Sequence, residues 1–131
     1  MVYDRTLVIF GEPASKANSR RLVTIKGRPA SIKSAKANSY AEAFRMQCAL
    51  QVMGVPMTAG DVRVEMVIHY ASRRPDLDES VILDAMQGLV YVNDRQVKQK
   101  AVYWALDKDN PRAVIRIVEC NPDNIPAHLK T

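Results

Sequence analysis

Between residues 62 and 70 apolar side chains recur at every second position: Val62, Val64, Met66, Ile68 and Tyr70 alternate with Arg63, Glu65, Val67 and His69. Successive side chains of a strand point to opposite faces, so this pattern predicts a strand with one face buried. Similar patterns predict strands over Thr6 to Phe10, Gln96 to Leu106 and Arg112 to Cys120. The last two are joined by Asp107-Lys108-Asp109-Asn110-Pro111, a run of turn residues, and read as a hairpin. A smaller hairpin is predicted from Arg21 to Ile25 and Pro29 to Ile32 around Lys26-Gly27. The period changes at Ser39-x-x-Glu42, which has capping-box spacing and opens a helix running to about Met53 before Gly54-Val55-Pro56. Tyr40, Phe44 and Cys48 share one face of it, widened by Ala43, Met46, Leu50 and Met53. A short second helix is expected from Asp78 to Gln87, with Val81, Ile82, Ala85 and Met86 inward and Gly88 ending it. It is apolar on more than one side, which suits contact with a second subunit. The expected fold is α/β (α+β): one small domain over residues 1–120, a mixed β-sheet with two helices packed on it, and a loose tail over 121–131.

With 131 residues and 47% hydrophobic content the chain has enough apolar surface for one core and too little length for a second domain. No apolar run is long enough for a transmembrane helix and the start does not read as a signal peptide, so a cytoplasmic protein is expected. Cys48 and Cys120 have no partners at metal-ligand spacing and read as free thiols. The net charge of +5 is unevenly distributed: from Lys16 to Lys36 there are seven basic residues (Lys16, Arg20, Arg21, Lys26, Arg28, Lys33 and Lys36) and no acid. Such a run is either a solvated loop or a surface for an anionic polymer.

The acids concentrate further on. After Arg73-Arg74-Pro75 come Asp76 and Asp78, one residue apart and able to share a side of an extended segment, then Glu79, Asp84 and Asp94. Capping and turn chemistry accounts for each acid taken singly. Brought together, Asp76, Asp78 and Asp94 would repel one another, and a hard divalent cation, Mg²⁺ in the first instance, would relieve that repulsion. A calcium loop counted from Asp76 fails, because Val81 stands where glycine is needed and Gln87 where glutamate is. His69, His128 and Trp104 read as bystanders, the last as core.

The order Pro75-Asp76-Leu77-Asp78, then Asp84-Ala85-Met86-Gln87-Gly88, then Val92-Asn93-Asp94-Arg95-Gln96-Val97 resembles the RusA family of Holliday junction resolvases. That family's pattern is Asp-x-Asp-Asn, a lysine, Asp-Ala-Leu-x-Gly and Asp-Asp-x-Gln-Val. Gly11-x-Pro13-x-Ser15-Lys16 followed by Arg20 is similar to its opening motif. The resemblance implies a metal-dependent endonuclease that resolves Holliday junctions by paired, symmetric cleavage, acting as a homodimer on branched DNA. It implies that Asp76, Asp78 and Asp94 hold Mg²⁺, with Glu79 (where the family has asparagine) and Asp84 supporting them from behind. Arg73, Arg74 and the basic run from Lys16 to Lys36 would then contact the DNA backbone. One departure matters. The family's catalytic lysine falls on Ile82, in a stretch two residues shorter than usual. Lys98 and Lys100, on one face of a strand at the end nearest Asp94, are the catalytic substitutes together with Lys16. If none serves, the chain reads as a slow enzyme or as a junction-binding protein without chemistry; a metal-dependent nuclease for other branched DNA is a separate alternative.

Overall fold

The computed structural model describes residues 2–14 and 20–131, without the side chains of Arg20 and Lys33. Its frame is a four-stranded mixed sheet of β1 (Asp4–Phe10), β4 (Val62–Tyr70), β5 (Val97–Leu106) and β6 (Arg112–Glu119), in the order β1-β6-β4-β5. β6 pairs antiparallel with β1 and β4, while β4 and β5 run parallel. A parallel pair needs a crossover. Here the short helix α2 (Ser80–Ala85) and the turn after it provide one.

The alternation in β4 is reproduced residue for residue, with its five even positions buried. Rows of side chains cross the sheet on that face, such as Leu7, Ile115, Met66 and Val102. Helix α1 (Ala35–Gln51) covers them with Ala37, Tyr40, Phe44 and Cys48, and α2 adds Val81, Ile82 and Ala85. Burial pushes the Cys48 thiol up to about 11, so it stays protonated inside the core. Both cysteines are free.

Four expectations are corrected. The strands β5 and β6 are not a hairpin: β4 lies between them, and the turn residues 107–111 carry the chain across its end, where Asp107 N donates to Tyr70 O at 2.8 Å. The same turn chemistry serves adjacent strands and strands one place apart. Helix α1 starts earlier than the Ser39 capping box, with Ser34 as N-cap and its hydroxyl accepting from Ala37 N at 3.2 Å. Ser39 is an exposed residue inside the helix. The buried stripe of α1 is also narrower than its apolar content suggests, because Met46, Leu50 and Met53 are 71–72% exposed. Helix α2 is shorter than the expected span, with Val81, Ile82 and Ala85 buried within the chain and Leu83 half-buried.

Helix α1 also seals an edge. The Gln51 side chain accepts from Val8 N and donates to Val8 O, and Gln47 does the same for Phe10, so the outer backbone of β1 is paired by two glutamines one helical turn apart. An unpaired strand edge invites association. Gln51→Ala should therefore cost about 1–2 kcal/mol in a urea unfolding titration, the value of two hydrogen bonds at a protected edge.

The remaining strands, β2 (Arg20–Ile25) and β3 (Arg28–Lys33), form a separate two-stranded ribbon. Lys26 at φ 53 and Gly27 at φ 77 are the two left-handed residues that a tight type I′ turn requires. Residues 121–131 are exposed, held to the sheet edge where Gln99 Nε2 donates to Asn124 O at 2.9 Å. No helix among the described residues is long and apolar enough to cross a membrane.

Candidate active site

The acids gather where β4 ends, and two aromatic side chains hold them there. Tyr70 is the last residue of β4 and fully buried. Its hydroxyl donates to Asp76 O at 3.2 Å and accepts from Asp78 N at 3.3 Å, clamping the acidic loop to the strand that leads into it. Beside it, Trp104 stacks on the Tyr70 ring with centroids 6.0 Å apart and donates from Nε1 to Pro75 O at 3.3 Å. The Arg73 guanidinium lies over the Trp104 ring, 5.4 Å from its centre, a cation–π contact. Trp104 is thus a partly buried core residue with a second task. Tyr70→Phe should cost about 1–2 kcal/mol of stability in thermal or urea unfolding, because two backbone groups of the loop are left without their partner.

Within that loop Asp76 is exposed and Asp78 buried. Asp78 Oδ1 accepts from Ser80 N at 3.0 Å, which starts α2. Its Oδ2 is buried and has no hydrogen-bond partner among the described residues. Glu79 is half-buried and accepts from Lys100 Nζ at 2.9 Å, so a cation from β5 is tied directly beside Asp78. Glu12 completes this end of the sheet by accepting from Ala71 N at 2.8 Å. The Tyr70 hydroxyl registers the crowding: burial raises its pKa most, the Asp78 N–H opposes this, and the charges of Asp78, Glu12 and Glu79 raise it further.

A second group forms around Tyr91, which is fully buried and donates to Leu83 O at 2.6 Å. Burial raises its pKa, and the charges of Asp94 and Asp84 add to the rise, so both carboxylates lie within electrostatic reach of one phenol. Asp84 is exposed on α2 and Asp94 half-buried in the 3-10 turn Asp94–Gln96. That turn is fixed by two glutamines. Gln87 Oε1 accepts from Asp94 N at 3.1 Å, while Gln96 accepts from Val92 N and Asn93 N and donates to Thr58 O and Gly60 O. Arg45 reaches over from α1 to the carbonyls of Ala85 and Gln87, closing the end of α2.

A groove of about 230 Å³ lies beside the second group, lined by Leu83, Asp94, Val97, Lys98, Gln99 and Lys100. Lys100 lines this groove together with Asp94 and is tied to the first group through Glu79. Among the described residues no three His, Cys, Asp or Glu side chains stand close enough together to hold a metal ion. The donor chemistry nonetheless suits a hard cation. Asp78 has a buried oxygen without a partner, and neither the Asp76 nor the Asp94 carboxylate makes a hydrogen bond or ion pair among the described residues.

The basic residues are distributed as follows. Arg21, Lys26 and Arg28 are exposed on the β2–β3 ribbon, Lys36 is exposed at the start of α1, and Arg73 and Arg74 are exposed beside the acidic loop. Arg20 and Lys33 belong to the ribbon, but their side chains lie outside the described residues, as does all of Lys16. Ile82 is fully buried in the core, so the position matched to a family lysine points away from the groove. Sequence reasoning missed Tyr70, Glu12 and the two glutamines as parts of the site. Gln87 and Gln96 stand inside the motifs, which was a usable signal, whereas Tyr70 reads only as one more apolar position of a strand.

The family model described as Endodeoxyribonuclease RusA matches residues 11–118, from the end of β1 into β6. No curated protein matches the chain.

Proposed function

The chain belongs to the RusA endodeoxyribonuclease family, and we propose that it resolves four-way DNA junctions by paired, metal-dependent nicks, as a homodimer with one site per subunit. The observation that carries this reading is the buried, partnerless Oδ2 of Asp78 next to the Glu79–Lys100 ion pair. A carboxylate oxygen taken out of water and left unpaired is costly, and a bound cation would offset that cost. Asp76, Asp78 and Asp94 would hold Mg²⁺. The carboxylates of Asp76 and Asp94, which make no hydrogen bond or ion pair among the described residues, are available to a cation that would relieve their mutual repulsion. When bound, the ion would supply activation of a water and neutralisation of charge on the scissile phosphate.

The chain's own residues supply the rest. Tyr70 and Trp104 fix the backbone that carries Asp76 and Asp78, and Gln87 fixes that of Asp94. Lys100, rather than Lys98, takes the place of the family lysine, because Glu79 holds it at the groove. Its ammonium would face the phosphate and stabilise charge as the bond to the 3′ oxygen breaks. Glu79 acts as the positioning group for that lysine. The exposed basic ribbon, with Arg73 and Arg74, would hold the phosphate backbone of the arms. Alanine substitution of one phosphate-binding residue should then lower the slope of log affinity against log salt by about one unit.

The test is cleavage of an end-labelled four-way junction beside a linear duplex of the same sequence, with Mg²⁺ and with EDTA. Symmetric nicks in opposing strands that need both the junction and the metal are the expected result. The buried Ile82 favours one other reading, a junction-binding protein without chemistry, and tight binding with no cut under any divalent metal would establish it.

A further inference from the structure

We propose that the C-terminal tail and the edge strand β5 form a second groove, which holds one DNA strand beside the cleavage site without reading its sequence. This rests on the nuclease reading above and gives the strand a path past the acids. The groove has a volume of about 560 Å³, with Arg63, Lys98 and Lys100 on its sheet side and Ile125, Pro126 and Leu129 on its tail side. Such a volume takes a drug-sized molecule, and a single nucleotide is one. Lys98, Gln99 and Lys100 also line the groove that holds Asp94, so both grooves open along the same three residues of the outermost strand. The tail lies beyond residues 11–118, the part matched by the family model. It is nevertheless fixed in place. Gln99 Nε2 donates to Asn124 O at 2.9 Å and to Asn121 O at 3.5 Å, and Asn121 Oδ1 accepts from Asp123 N at 3.0 Å where the chain turns.

The two walls differ in the way a nucleotide's two sides differ. On the sheet side, Lys98 makes no ion pair among the described residues, and Arg63 has to share its one acid, Glu65, with Arg116. Lys98 also stands where the ladder between β4 and β5 skips a residue, an irregularity that re-aims a side chain at a sheet edge. Two cations are thus left for phosphates. On the tail side, Ile125 is 48% and Leu129 64% exposed, so two large apolar side chains line the groove without entering the core. Sugars and base faces suit them. A cationic groove that tracks the backbone while apolar groups meet the bases binds a strand whatever its sequence. A purely acidic peptide would satisfy the cations and leave the apolar wall in water. A nucleotide carries its charge and its apolar faces on one unit and covers both.

The experiment measures fluorescence anisotropy of a short labelled oligo-dT in EDTA, with the full chain as wild type, with Ile125→Asp and Leu129→Asp combined, and with Arg63→Ala. Two acids on the tail wall should weaken binding at least about 10-fold through like-charge repulsion, with an unchanged unfolding midpoint because both positions are exposed. Arg63→Ala should lower the slope of log affinity against log salt by about 0.7, the value of one phosphate contact on a single strand. Leu50→Asp, on the exposed side of α1, is the control and should leave the affinity within about two-fold, its charge being distant and screened. A wild type that does not bind the oligonucleotide overturns the proposal, and so do tail substitutions that leave binding intact or an Arg63→Ala slope equal to that of the wild type. A poly-glutamate peptide that needs the tail, with oligonucleotide binding unchanged, gives the groove to an acidic protein and overturns it too. Junction cleavage is read separately. At saturating protein the tail variant should nick at the wild-type rate, while half-saturation needs about 10-fold more protein. A wild type that nicks junctions, with tail variants that bind as tightly, removes the groove and keeps the nuclease. A wild type that never nicks but whose oligonucleotide binding needs the tail does the reverse.

Discussion

Asp78→Asn should lower junction cleavage by at least about 1000-fold, or ~4 kcal/mol of activation free energy, while folding and junction binding persist. The substitution separates two roles that share one residue. Asparagine forms the same local turn as aspartate, so its side-chain oxygen keeps the bond from Ser80 N two residues on, at the entry to α2. What it removes is the charge on Oδ2, the buried oxygen with no partner. If Asp78 only held this turn, the variant would cut normally. If it is a metal ligand, cleavage in Mg²⁺ is abolished and junction affinity stays or rises, because a negative charge facing phosphates has gone. Asp76→Asn and Asp94→Asn should behave alike. Unfolding midpoints and gel-shift affinities measured beside single-turnover rates decide the matter.

Lys100→Ala should reduce single-turnover cleavage by about 100-fold or more, the usual weight of a positioned proton donor or charge stabiliser, and Lys98→Ala by much less. The two lysines are two residues apart and both exposed, but they do not share a regular strand face as the sequence suggests: the ladder with β4 shifts register at Lys98, whereas Lys100 pairs with Val64. Only Lys100 is held by an acid at the edge of the acidic loop. Its ion pair with Glu79 is half-exposed and adds little to stability, so a large kinetic loss with an unchanged unfolding midpoint marks a catalytic contribution. Glu79→Gln should lower the rate by a smaller factor, because it releases the lysine without removing it. Equal effects at positions 98 and 100 would instead mean that the groove needs only diffuse positive charge.

Local periodicity was enough to find most elements. Strand β4 was legible to the residue because its alternation is unbroken, and the small hairpin because Lys26-Gly27 can form few turns other than the one seen. The start of α1 was misread by five residues, since Ser34 and Ser39 are both plausible caps and choosing between them depends on how much helix the sheet can cover. The strand order was not legible at all. Nothing in residues 107–111 distinguishes a turn between neighbours from one that steps over β4.

By itself, then, the sequence determined the alternating strands, the helical stripe, the ordered acidic motifs and the basic run, because each depends on residues close together in the chain. Only the tertiary structure decided which acids share a neighbourhood. It put Asp78, Glu79 and Glu12 around Tyr70 and Asp84 and Asp94 around Tyr91, and it paired Lys100 with Glu79. It also turned Ile82 into the core and left one face of the sheet open. These are contacts between positions far apart in sequence, set by how β4, α2 and β5 stack, and no spacing along the chain encodes them.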